Sequence, residues 1–176
     1  MRRLLPLLML LALLPLCAFA EAIDAYSLSP IEMPIEESAQ ILDLYCGPTQ
    51  GFYRHEAHTL DTGKPYVLFG QHDCWAMAAQ GTAASFGPIG WVEAGSIADI
   101  PYEPQLSFED SFAAVVEEPA AVTDHPLADD PFAAWSITLE PGTEIIVLAQ
   151  LGDWLYVQAE LDGIPARVFI KADTVF

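Results

Sequence analysis

Basic residues are what this chain has least of: six lysines and arginines stand against 25 aspartates and glutamates in 176 residues. Two of the six are Arg2 and Arg3, so beyond residue 20 four bases face all 25 carboxylates. A chain so charged repels nucleic acid and anionic lipid, and neither is expected as a partner. The acidity is scattered from Glu21 to Asp173 rather than gathered in a run, which is how a solvated surface keeps a protein soluble. Cysteine is scarce too, at three residues. Also lacking is any grouping of nucleophile, base and orienting acid, and no enzyme is expected. His55-Glu56-Ala57-His58 is one residue short of the spacing that projects two histidines from one helical turn toward zinc. Even counting His72 and Cys74, no set of convergent ligands is evident; the histidines read as surface residues of a polar loop, and no metal or cofactor is expected.

What is present begins with a leader. Met1 to Ala20 opens on Arg2-Arg3, runs through a leucine-rich middle and closes on Ala18-Phe19-Ala20, the three parts of a secretory signal peptide. Its apolar run, broken by Pro6 and Pro15, is marginal for spanning a bilayer of about 30 Å. Cleavage after Ala20 and export are expected, with no stable membrane insertion afterwards. Residues 21–40, with Pro30, Pro34 and several carboxylates, read as a linker.

The chain is organised around Leu139 to Ile170. Glu140-Pro141-Gly142 is a turn. Ile145 to Ala149 is too short for a stable helix and rich in β-branched residues, hence a strand. Gly152-Asp153 punctuates it before a second run from Trp154 to Ala159, and Asp162-Gly163 precedes a third at Val168-Phe169-Ile170. Alternation assigns Leu155 and Val157 to the core with Ile146, Leu148 and Ile170. The opposite face then carries Trp154, Tyr156 and Phe169. Tyr66 to Gln80 aligns without gaps on Ile145 to Ala159, and Ile89 to Val92 falls on Arg167 to Ile170 after a one-residue slip. The offset, near 79 residues, suits two small domains. Trp75, Met77 and Trp91 are thereby the counterparts of Trp154, Tyr156 and Phe169.

The second copy, PGTEIIVLAQLGDWLYVQAELDGIPARVFI, resembles the bacterial Src-homology-3-type (SH3b) domain. Gly47-Pro48-Thr49 and Phe52-Tyr53-Arg54 resemble the opening of such domains in secreted proteins of Gram-positive bacteria. Val168 departs from the pattern, which usually has glycine there. The resemblance implies an all-β chain of two tandem SH3-like barrels, at residues 41–100 and 112–176, joined by a linker over 101–111. Ile41 to Tyr45 opens the first, and residues 49–65 form the polar loop beside its groove. It also implies recognition of cell-wall peptide, peptidoglycan or another extracellular peptide, with Trp75, Met77, Trp91, Trp154, Tyr156 and Phe169 as anchors. The aromatics would otherwise be covered by docking of the two copies, leaving an acidic exterior to meet a basic extracellular protein. Cys46 and Cys74 fit either a disulfide, worth roughly 3 to 4 kcal/mol for a loop of about 29 residues, or a pair of buried thiols.

Overall fold

The computed structural model describes residues 30–97 and 105–175, so the leader expected over residues 1–20 lies outside it. Short β-branched and aromatic runs cut by Gly, Asp and Pro turns fold into strands almost throughout. These are β1 (Ile31–Glu32), β2 (Ile41–Tyr45), β3 (Arg54–Asp61), β4 (Tyr66–His72), β5 (Trp75–Thr82) and β6 (Ser85–Glu93) in the first half. In the second come β7 (Phe112–Val115), β8 (Ala120–Ala121), β9 (Thr138–Leu139), β10 (Glu144–Leu151), β11 (Trp154–Leu161) and β12 (Ile164–Lys171). They form a six-stranded sheet in the order β1-β4-β5-β6-β2-β3, a four-stranded sheet β12-β11-β10-β7, and the pair β8-β9. The chain is all-β, in several sheets of which none closes on itself.

The repeat read from the sequence has a backbone counterpart. The β4-β5 hairpin turns at Asp73, at φ 54°, and the β10-β11 hairpin at Gly152, at φ 55°. Aligned as the copies are, both residues sit in the left-handed region at the same place. Glycine adopts it at little cost, and aspartate is among the side chains that tolerate it best. Both hairpins also carry a bulge at the same point, between Leu68 and Gly70 in one and between Val147 and Ala149 in the other. A bulge turns the following side chains to the opposite face. This one decides the site.

The core assignment changes accordingly. Ile145 and Val147 are buried with Leu155, Val157, Val168 and Ile170, whereas Ile146 is 41% exposed and Leu148 packs on the opposite side. The alternation in β10 was one residue out of register, because Ile145, Ile146, Val147 and Leu148 are all apolar and leave the parity open. Val168, fully buried and paired with Val157, fills core that a glycine would leave empty. Part of the stretch expected to be linker is structural: β1 pairs with β4, and Met33 is buried beside Tyr66 and Leu68. The polar stretch at 49–65 contains the eight-residue strand β3, not a loop alone.

The halves do not stand side by side as two independent units. After Tyr45 pairs with Trp91, the chain leaves the first sheet: Arg167 donates its backbone N–H to Cys46 O, and Tyr53 N donates to Pro165 O at 2.7 Å. Cys46 consequently lies in the core of the second half. Reciprocally, Thr123 bridges to Phe169, and Ile89 N donates to Asp124 O at 2.9 Å. Ile89 and Arg167 are aligned residues of the two copies, so each half sends a segment to the last strand of the other. Gly90 permits the crossing on one side, since a Cβ there would come within 2.8 Å of Leu44 Cβ.

Candidate functional site

All six residues expected to anchor a ligand fall in one cluster. Trp75, Met77 and Trp91 from the first sheet pack against Trp154, Tyr156 and Phe169 from the second, with Ala149 and Leu151 delivered to this face by the β10 bulge. Their exposures run from 1% for Trp91 to 7% for Trp75 and Trp154. Tyr156 and Phe169 lie 4.8 Å apart between ring centroids, and Lys171 Nζ sits 3.9 Å from the Trp154 ring centre, a cation-π contact. The connecting segment adds a lid: Leu106 and Phe108 pack on the cluster, Leu106 N donating to Gln71 O at 2.7 Å. Between Met77, Phe108, Tyr156 and Phe169 there remains a cavity of about 10 Å³, scarcely one water in size and apolar-walled. The two aromatic faces are therefore covered by each other. A ligand could reach them only by parting the halves.

Polar groups in this seam are few. Trp91 Nε1 donates to Tyr156 Oη at 2.9 Å, joining β6 to β11 across it. Burial pushes the Tyr156 hydroxyl well above the ordinary phenol range, partly offset by Arg167 and by the Trp91 hydrogen bond. It stays neutral. Arg167 leans over Gln158, to which its Nε donates at 3.2 Å, and its guanidinium lies 5.1, 5.5 and 5.8 Å from the ring centres of Phe108, Phe52 and Trp91. Its Nη1 is buried without a hydrogen-bond partner.

A second grouping was not foreseen. His58 Nδ1 meets Asp124 Oδ2 at 2.7 Å, joining β3 to the crossing segment of the second half. His55 stacks on His58 with centroids 4.0 Å apart, and it also contacts Trp135. His55 Nε2 donates to Ala134 O at 3.2 Å while its Nδ1 accepts from Ala57 N. Asp124 is 3% exposed, and its Oδ1 has no partner. No sequence signal singled it out: it lies in an irregular stretch, 66 residues from His58, and only the crossing of the chain brings them together.

Cys46 lies close to this grouping, but its chemistry is muted. Burial pushes its thiol up to about 12, the Asp124 carboxylate adds to the shift, and a hydrogen bond with the His55 backbone only partly offsets it. A thiol so held is neutral and a poor nucleophile or metal ligand. The disulfide alternative is corrected: Cys46 is buried, Cys74 is exposed, and both are free. Tyr45, Trp91 and Met77 lie in one row across three strands. Cys46 is thus two strands from Cys74 and about four residues along, roughly 10 Å across and 13 Å along, far outside the ~7 Å Cα reach of a bridge. His72 packs between Trp91 and Phe108, away from the other histidines. Among the described residues no three His, Cys, Asp or Glu side chains converge on a metal position, and no helix is long and apolar enough to cross a membrane.

No family model, curated protein or solved structure matches the chain.

Proposed function

We propose that this is an exported, non-catalytic assembly protein whose two SH3-type halves use their aromatic faces on each other and whose acidic exterior meets a basic extracellular protein. One observation carries the reading: all six aromatic and methionine anchors are at most 7% exposed, in a single cluster. With those faces occupied, charge is what the exterior offers. Sixteen carboxylate residues among those described are exposed, against two basic residues, Arg54 and Lys64. Such a surface supports fast, salt-sensitive capture of a cationic partner. The Arg2-Arg3, leucine-rich and Ala18-Phe19-Ala20 pattern supports export.

The test sets two ligands against each other: co-sedimentation with purified peptidoglycan at 150 mM salt, and titration with a basic probe, poly-L-lysine, at 50 and 500 mM. The expected result is no co-sedimentation, and binding to the probe that weakens at least tenfold at high salt. Peptidoglycan binding lost in a folded Trp154→Ala variant would overturn the proposal in favour of peptide recognition through a seam that opens.

A further inference from the structure

We infer that Arg167 is a carboxylate-binding residue, forming with Gln158 and Ile146 a shelf for a small monocarboxylate that carries an aliphatic group. The inference is independent of the basic-partner reading.

Among the described cations, Arg54 pairs with Asp43, Lys64 pairs with Asp61, and Lys171 lies on Trp154. Arg167 and Lys171 are partly buried without an ion pair to any described carboxylate, and of the two only Arg167 keeps an enclosed donor nitrogen with no partner. Its one side-chain hydrogen bond is from Nε to Gln158. Nη1 is enclosed without an acceptor; Nη2 also lacks one but is not closed off. Leaving a charged donor unmade inside a protein is costly. Burial pulls the Arg167 guanidinium below its ordinary value, with the opposing influence from Tyr156 smaller. It remains a cation all the same. Phe108, Phe52 and Trp91 hold its plane in place, so an arriving oxyanion would meet a preorganised donor.

The pairing register supplies the rest of the shelf. Arg167 is opposite Gln158, Gln158 opposite Ile146, and Ile146 opposite Ala113, so the four lie in one row on the seam-facing side of the second sheet. This row is next to the buried Tyr156-Phe169 row, and the cover of the first half reaches its Arg167 end but leaves Ile146 open. Ile146 is 41% exposed there, and Val115, one row on, is 47% exposed. Gln158, whose side chain the guanidinium meets, stands about one strand spacing, ~5 Å, from Ile146. A planar carboxylate matches the free Nη end of the fork. Among oxyanions a monocarboxylate is favoured over dianionic phosphate, which the net charge of −19 would repel more strongly.

The test is a titration of the isotope-labelled full chain with N-acetyl-leucine, N-acetyl-leucinamide and inorganic phosphate, following the arginine Nε–H resonances. Arg167 is assigned through its contacts to Phe52 and Phe108 ring protons. The acid is expected to shift the Arg167 signal saturably and to bind roughly tenfold or more tighter than the amide or phosphate, with Arg54 unmoved. Arg167→Gln should weaken the acid by a similar factor. Ile146→Glu, at an exposed position, provides a second variant should the first not fold, and should weaken it too. An equal response to acid and amide, equal binding of phosphate, parallel movement of Arg54, or no response at 50 mM would overturn the inference.

Discussion

The indole N–H of Trp91 donates to the phenol oxygen of Tyr156 at 2.9 Å, between two side chains that are 1% and 4% exposed. The two belong to different halves and stand 65 positions apart in the chain. An unpaired polar group in such a place costs about 1–3 kcal/mol. Trp91→Phe and Tyr156→Phe are each expected to destabilise the protein by about that much, plus a packing loss for the indole. The double variant should lose less than the two singles together, a coupling of about 0.5 kcal/mol or more. Denaturant unfolding of the four proteins measures it; strict additivity would mean the bond contributes nothing.

The His58-Asp124 contact joins the halves a second time, and Asp124 is its more deeply buried member. Removing one partner of a buried pair leaves the other uncompensated, at a cost of about 3–5 kcal/mol. His58→Ala should therefore destabilise strongly, and adding Asp124→Asn should recover part of the loss, since the stranded charge is then gone. A double variant no more stable than His58→Ala would show that packing, not charge, is at stake.

Acid should weaken the fold through His125, whose ring is tilted over Phe86 at 5.8 Å. Burial holds its imidazole below the ordinary value, with Asp124 opposing but weaker. The unfolded chain then takes up the proton first. Stability is undiminished above the ordinary histidine value of about 6.5, declines as pH falls below it, and levels off below the depressed folded value. Thermal unfolding of wild type and His125→Gln between pH 7.5 and 5 measures this contribution as the difference between the two curves. Curves that run parallel would remove His125 as its source.

The two described cysteines should behave differently toward alkylation. With its thiol pushed up to about 12, Cys46 carries a thiolate fraction of only ~10⁻⁴ at pH 8, and it is buried besides. Cys74, exposed in the β4-β5 turn, is expected to react within minutes in the native protein, and Cys46 only once denaturant is added. Mass spectrometry of the peptides reports both. A Cys46-Cys74 bridge under oxidising conditions would contradict the fold, given how far apart the strands hold them.

Much of the candidate site was legible in advance. The gapless match of residues 66–80 on 145–159 identified Trp75 with Trp154 and Met77 with Tyr156, and all four fall in the one cluster between the sheets. Strands at Ile41, Tyr66, Trp75, Glu144 and Trp154 start at or within a residue of where turn chemistry and alternation place them. Where the pattern is ambiguous, the faces of the strand differ from those alternation gives. Four consecutive apolar residues from Ile145 leave parity undetermined, and the bulge that resolves it has no glycine of its own in the second copy. Strand β3, RHEAHTLD, is too polar to show a buried face. It is a strand because β2 supplies its hydrogen-bonding partner.

By itself the sequence determined what is local: the all-β character, the hairpins, the repeat, the acidic exterior, and the neighbouring residues that make up each aromatic face. Only the tertiary structure decided what those faces touch, because an apolar face has the same pattern whether a ligand, a loop or a second copy covers it. Nor does local physics couple Cys46 to the far core, Asp124 to His58, or Arg167 to three rings. Those contacts join residues dozens of positions apart, and the crossing of each half onto the last strand of the other brings them together.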